Sequence, residues 1–200
     1  MIKAFLFDND GVITAAGTGK ESSMRLAANL GVDIDTANNL FMSVWPDFTA
    51  GKLSEEQFWD SIEKQSGQTI ATEQRAIWKT WDELTPQPAM LKLVRDLRSR
   101  GFKVGMLSNT IPSTEALIRE HGGYDDFDFT ILSCKVGYSK PSPRVYELAL
   151  QQLEGILPEE VVFLDDQERH LAPAKELGMQ TILVKTEQQA IDNIAILLSA

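Results

Sequence analysis

Several things are scarce in this sequence. One cysteine, Cys134, stands among 200 residues, so no internal disulfide can form. Its context, TILSCKV, reads as the end of a buried strand carrying an inert thiol, and a reduced setting follows. No apolar run approaches the roughly 18 residues of a membrane span. The N-terminus, MIKAFLFDND, meets acid too early for a secretory signal. The expectation is a cytoplasmic protein with no membrane partner. Basic residues are outnumbered, 19 Lys and Arg against 29 Asp and Glu, for a formal net charge of −10. That balance argues against nucleic acid as a partner held by bulk electrostatics. It leaves room for anionic small molecules, because a bound cation inverts the local field. Repeats and low-complexity stretches are absent as well. What is present is ordinary: 43% hydrophobic and 24% charged residues, in a length that suits one domain or one domain carrying a smaller insert. Monomer and homodimer both remain open.

Five short apolar runs lack clean alternation, as parallel strands covered on both faces do. They are residues 2–8, 102–108, 129–133, 161–165 and 180–184. From residue 88 onward helices separate them. Pro88 opens one that stops at Gly101, another ends at Gly122, and Pro143 opens a third behind Ser142 as N-cap. A fourth ends at Gly178, and Thr186 with Gln189 forms a capping box for the last. This alternation predicts an α/β fold with a parallel sheet. Residues 14–86 contain no convincing strand. Capping boxes at Thr18–Glu21 and Ser54–Gln57, and N-caps at Asp35 and Thr72, predict helices over 19–30, 35–45, 54–66 and 73–84. All four tryptophans fall in this block. They predict a small bundle core; the alternative is that one or two of the rings face the sheet and line a pocket. The predicted organisation is therefore an α/β core from residues 1–13 and 87–200, with a helical insert over 14–86.

Ligands of an open parallel sheet sit outside the carboxyl ends of its strands. Those ends supply Asp8 and Asp10; Ser108, Asn109 and Thr110; Lys135 and Lys140 in KVGYSKPSP; and Asp165 with Asp166. Carboxylates converging at one place repel strongly without a cation. Hard oxygen ligands with open positions suit Mg²⁺, which accepts substrate phosphate oxygens. Metal, lysine, hydroxyl and amide together make a phosphate site. One carboxylate can then act as nucleophile and another as acid and base. Gly11 eases the turn that a two-residue spacing requires. Asn9 reads as a spacer turned away from the site.

FLFDNDGV, MLSNT, KVGYSKPSPRVY and VFLDDQERHLAPAKELGMQTILV occur in the order and spacing of the four motifs of the haloacid dehalogenase-like hydrolase superfamily, which the chain resembles over essentially its whole length. The resemblance implies a Rossmann-like three-layer core with a five-stranded parallel sheet, order 5-4-1-2-3, and a helical-bundle cap inserted after the first motif. It implies Asp8 as nucleophile, Asp10 as general acid and base, and Ser108 and Asn109 as phosphoryl binders. It implies Lys140 as holder of the phosphate and of the Asp8 charge. Mg²⁺ would take Asp8, the Asp10 carbonyl and Asp166, with Asp165 either a further ligand or the neighbour that orients one. Dehalogenases of the superfamily lack an acid two residues after the nucleophile, so Asp10 favours phosphoryl transfer. The implied activity is hydrolysis of a small phosphorylated metabolite, such as a sugar phosphate, with specificity in the insert near Trp45 to Lys52. Phosphoglucomutase-like phosphotransfer and a catalytically idle binding protein are the alternatives. Two positions depart from the family pattern. His170 replaces a common Asn and reads as a helix-face residue orienting the loop; KPSP replaces KPDP. His121 reads as a helix C-terminal residue.

Overall fold

The layering follows from how successive side chains along each strand divide between two faces. The computed structural model describes residues 1–15, 20–78 and 80–199. Strands β1 (Ala4–Phe7), β2 (Lys103–Ser108), β3 (Phe129–Leu132), β4 (Val161–Asp165) and β5 (Gln180–Leu183) form one parallel sheet, ordered β3-β2-β1-β4-β5. Among the described residues ten α-helical segments accompany it. Four precede β2 in the helical block or its exit: α1 (Lys20–Leu30), α2 (Ile34–Thr49), α3 (Glu55–Ser66) and the single turn α4 (Trp81–Leu84). The others are α5 (Pro88–Ser99), α6 (Pro112–Glu120), α7 (Ser133–Val136), α8 (Pro143–Gln151), α9 (Glu168–Glu176) and α10 (Glu187–Ser199).

On β1, Phe5 and Phe7 join a cluster with Met90, Val94 and Leu97 of α5 and Ile194 of α10. Ala4 and Leu6 join another with Val145 and Tyr146 of α8 and Leu171 and Ala174 of α9. β4 divides the same way, Val162 and Leu164 against Val161 and Phe163. Both faces are covered, so the strands read as unbroken apolar runs. Gly105 on β2 is required by packing: a Cβ there would lie 2.4 Å from Cζ of Phe129.

Residues 20–78, joined by Ile111 beyond β2, build a third apolar cluster that includes Leu26, Phe41, Phe48, Phe58, Trp59 and Ile62. The Ser54–Gln57 capping box is formed: the Gln57 N–H donates to Ser54 Oγ, and the Ser54 N–H donates to Gln57 Oε1 at 2.8 Å. Thr186 Oγ1 likewise accepts the Gln189 N–H, while Gln189 Oε1 takes the N–H of Lys185. Other expectations need correction. The helix expected over 73–84 is a 3-10 turn, Thr72–Arg75, then a break and α4, because Glu83 turns back onto the Thr80 N–H at 2.9 Å and starts a new turn there. Ala71, not Thr72, precedes that 3-10 turn. Asp33, not Asp35, caps α2, accepting the Thr36 N–H at 2.8 Å. Ser142 precedes α8 without a capping bond from its hydroxyl. Cys134 lies in α7 rather than a strand, half-buried, with burial and Glu115 pushing its thiol up. The Thr18–Glu21 capping box involves Thr18, outside the described residues. His121 caps the end of α6, as expected, and stacks on Trp81 with centroids 4.0 Å apart.

The two connections between block and sheet run side by side. The Gln87 N–H donates to the Ile13 carbonyl at 2.8 Å, Gln87 Nε2 donates to the Val12 carbonyl, and Thr14 bridges to Pro86. No helix among the described residues is long and apolar enough to cross a membrane.

Candidate active site

Register and side-chain direction bring Asp8 and Asp165 together. Phe7 pairs with Leu164, and the Asp8 N–H donates to the Leu164 carbonyl at 2.9 Å. Asp8 follows Ala4 and Leu6, and Asp165 follows Val161 and Phe163, so both carboxylates project toward the face that α8 and α9 cover. Two like charges side by side on neighbouring strands are destabilising. Lys140 lies between them, its Nζ 2.7 Å from Asp8 Oδ1 and 2.6 Å from Asp165 Oδ2. The three side chains are 1%, 7% and 0% exposed.

The lysine is held from its backbone. The Lys140 N–H donates to Asn109 Oδ1 at 2.7 Å, and Asn109 Nδ2 donates to the Lys140 carbonyl at 2.9 Å. Asn109 thus clasps the third motif to the end of β2, which leaves one amide hydrogen for a ligand. Asp165 is fixed from its other side by the Gln167 N–H at 2.8 Å and by Nδ1 of the buried His170 at 3.0 Å. A carboxylate only accepts, so the Nδ1 of His170 carries the proton in that bond. Tyr146 in turn donates to the His170 carbonyl at 2.6 Å.

Asp8 and Asp165 differ in ionisation. Burial opposes the charge on Asp165, but Lys140 and His170 outweigh it and hold its carboxyl down at about 2. Burial pushes the Asp8 carboxyl well up; Lys140 offsets part of that, while Asp165 and Asp10 add to it. Burial would lower the Lys140 ammonium, yet the two carboxylates raise it.

Asp10 sits on the turn after β1. Its Oδ1 accepts from Asn9 Nδ2 at 3.0 Å and from Thr14 Oγ1 at 3.4 Å. Asn9 is more than a spacer. Its N–H donates to Asp8 Oδ1 at 2.7 Å, and its carbonyl accepts the N–H groups of Val12, Ile13 and Thr14. One residue therefore folds the turn and aims both acids. Gly11, at φ +76°, closes the turn against Asp166, whose Oδ2 lies 2.7 Å from where a Cβ would stand. Asp166 Oδ1 is buried with no hydrogen-bond partner among the described residues, and burial, then Asp165, raises this carboxyl.

Of these groups, Asp8, Asp10, Asn109, Lys140, Gln167 and His170 face a cleft of about 280 Å³. Asp8, Asp10, Asn109 and Lys140 form its floor. Asn38, Phe41, Met42 and Trp45 form the opposite side, and Gln167, Arg169 and His170 a flank. The α2 residues recur at i, i+3, i+4 and i+7, one face of a helix. Of the stretch Trp45 to Lys52, Trp45 lines the cleft, whereas Lys52 pairs with Asp47 at the surface. Trp59 is core, and Trp78 stacks on Trp45. Ser108 is buried at the end of β2 and is not among the cleft-lining residues. Lys135 points elsewhere, pairing with Glu115 at 2.9 Å. Sequence reasoning did not single out Asn9, Asn38, Met42, Gln167 or Arg169 as site residues. The α2 spacing was the one available signal, and it does not say which face turns inward.

Residues 2–178 match the haloacid dehalogenase-like hydrolase family. The chain belongs to that family. Among curated relatives of this hydrolase, glyceraldehyde 3-phosphate phosphatase of Methanocaldococcus jannaschii is 29% identical over 92% of the chain and 85% of that protein. Bifunctional epoxide hydrolase 2 of Sus scrofa is 39% identical over 51% of the chain, but the match spans only 19% of that longer protein. A predicted HAD-like family hydrolase from Porphyromonas gingivalis superposes with a TM-score of 0.78 at 26% identity, covering 100% of this chain and 99% of the other. A HAD family enzyme of Bacteroides thetaiotaomicron, solved with magnesium and inorganic phosphate, superposes at 0.74 with 24% identity, covering 92% of this chain and 95% of its own.

Proposed function

We propose that this hydrolase removes the phosphoryl group from a small phosphorylated metabolite through a phosphoaspartate on Asp8. One observation carries the reading: two carboxylates, two residues apart, have different surroundings and face one cleft. Asp8 is buried and clamped by Lys140, whereas Asp10 sits on the turn, partly exposed. Such a division assigns nucleophile and proton carrier to different acids. An Asp8 oxygen attacks phosphorus as the ester oxygen leaves. Asp10 donates its proton to that leaving oxygen. A water then attacks the phosphoaspartate while Asp10 takes its proton, and phosphate is released with Asp8 restored. Lys140 holds Asp8 in place and balances charge, and Asn109 offers its remaining amide hydrogen to the phosphoryl oxygens.

The donor set fits magnesium. Asp8, Asp10, Asp165 and Asp166 bring four carboxylates to a site where Lys140 is the buried cation among the described residues, and Asp166 Oδ1 has no partner among them. Asp8, Asp165 and His170 have ligand atoms within 4.8 Å of one another, but the ammonium of Lys140 fills the gap between the two carboxylates. Asp8, the Asp10 carbonyl and Asp166 would therefore hold the ion, leaving Asp165 to position Lys140. Bound there, Mg²⁺ would neutralise phosphoryl oxygens and favour the ionised form of Asp8. On this reading residues 14–86 are a cap over a core of 1–13 and 87–200, and α2 is its roof. The names of the M. jannaschii relative and of the magnesium–phosphate complex support the assignment. The test is p-nitrophenyl phosphate hydrolysis with and without Mg²⁺. Turnover is expected only with the metal and is lost in Asp8→Asn. Undiminished turnover by that variant sinks the mechanism.

A further inference from the structure

Among the described residues the cleft is lined by two cationic side chains, Lys140 and Arg169, and they are engaged differently. Lys140 is neutralised on both sides by Asp8 and Asp165. Arg169, in the first turn of α9, lines the same cleft and is exposed, with no carboxylate within ion-pair distance among the described residues. Its guanidinium is oriented: Nε donates to Gln167 Oε1 at 3.0 Å, which leaves the two terminal nitrogens outside that bond. His170 is 3% exposed and lines the cleft; its Nδ1 donates to Asp165, so its Nε2, buried without a partner among the described residues, is an acceptor suited to a substrate hydroxyl and not to an anion. Four acids crowd this region, yet none pairs with Arg169.

We propose that the α9 flank is a subsite for a carboxylate on the leaving group, so that the preferred substrates are phosphate esters of short hydroxy acids. Arg169 takes the carboxylate through its free terminal N–H groups, whose planar fork matches two carboxylate oxygens. Met42 and Trp45 of the roof cover the carbon chain between the two anionic ends, and Asn38 supplies an amide at the roof's edge. At about 280 Å³ the cleft lies at the small end of ligand sites, which favours a substrate of a few carbons over a long or branched one. The inference rests on the phosphatase reading and adds what is attached to the phosphate.

The test compares 3-phosphoglycerate with glycerol 3-phosphate, two three-carbon esters that differ by a carboxylate against a hydroxymethyl group. The expected kcat/KM ratio favours 3-phosphoglycerate by about tenfold, as one partly exposed charge-assisted contact provides. Arg169→Gln brings the ratio to near one, and Arg169→Lys restores part of it. A wild-type ratio at or below one overturns the proposal, as does a ratio unmoved in Arg169→Gln. p-Nitrophenyl phosphate separates the two levels. Wild type that turns it over while the ratio fails retires the subsite alone. Wild type that releases neither nitrophenol nor phosphate from any of the three esters retires the phosphatase reading and the subsite with it.

Discussion

Replacing Lys140 by Met tests the charge balance of the site without reference to any substrate. The ammonium lies 2.7 Å from Asp8 and 2.6 Å from Asp165, and the lysine and both acids are almost wholly out of water. Methionine fills much of the same volume but leaves two buried carboxylates on adjacent strands with no cation between them. Breaking a buried ion pair from one side costs about 3–5 kcal/mol. In a chain of this size each kcal/mol lowers Tm by about 2–4 °C, so a fall of about 6–20 °C is expected. Thermal unfolding followed by circular dichroism in EDTA reads it. Two internal checks belong to the same experiment. Adding Asp8→Asn recovers a good part of the loss, because Asp165 then keeps the Gln167 N–H and His170 as donors and no longer faces a second charge. Lowering the pH through the carboxylate range narrows the gap to wild type, as the stranded acids take up protons. A Lys140→Met protein melting within about 2 °C of wild type would refute the reasoning, since the cost rests on burial.

Asp8→Asn alone behaves differently. Folding raises this acid, so its ionised form subtracts stability as the pH rises above the ordinary carboxylate range; the metal-free variant should melt no lower than wild type at pH 7, while losing phosphatase turnover. Asp165 has the opposite sign. Its carboxyl is held at about 2, so its contribution is present above about pH 4 and disappears between about 4 and 2, which an acid titration of Tm against Asp165→Asn should show. Mg²⁺ should raise the wild-type Tm, by the equivalent of about 2.7 kcal/mol at a hundred times Kd, and Asp166→Asn should remove most of that rise. Gly31 and Gly51 both have φ +67°, but a Cβ at Gly31 meets nothing within 4 Å whereas at Gly51 it would lie 2.3 Å from the Cys134 carbonyl oxygen. Gly31→Ala should cost about 1 kcal/mol in chemical denaturation, and Gly51→Ala distinctly more.

The sheet was legible because its strands are short apolar runs punctuated by Pro and Gly, and Asp8, Asp10, Ser108, Asn109, Lys140, Asp165 and Asp166 all occupy strand ends or the loops after them. Register was not legible, and register is what sets Asp8 beside Asp165 and gives Lys140 two partners. Single bonds also escaped the sequence. Asp33 and Asp35 are both plausible caps for α2, and geometry selects Asp33. The 73–84 stretch has helical composition, yet Glu83 bonds back to Thr80 and divides it. Asn9 sits between two acids like filler, but only the fold reveals that its amide and backbone serve both. The sequence pointed to the stretch from Trp45 to Lys52; the approach of α2 to the strand ends is what turns Asn38 and Met42 toward the cleft as well.

The paired connections at Thr14–Pro86 and Ile13–Gln87 form a narrow neck, and Asp10 stands at its base. Thr14 donates to Asp10 and also bridges to Pro86, so the acid is fastened to the same hydrogen-bonded ribbon from which the helical block hangs. A rotation of that block about its neck would carry the roof residues away from Lys140 and Asp8 and would twist the ribbon beside Asp10. If residues 14–86 act as the proposed cap and Asp10 as the proposed proton carrier, opening the one and re-aiming the other would be a single movement, while the lysine, held by Asn109 to the sheet, would stay behind.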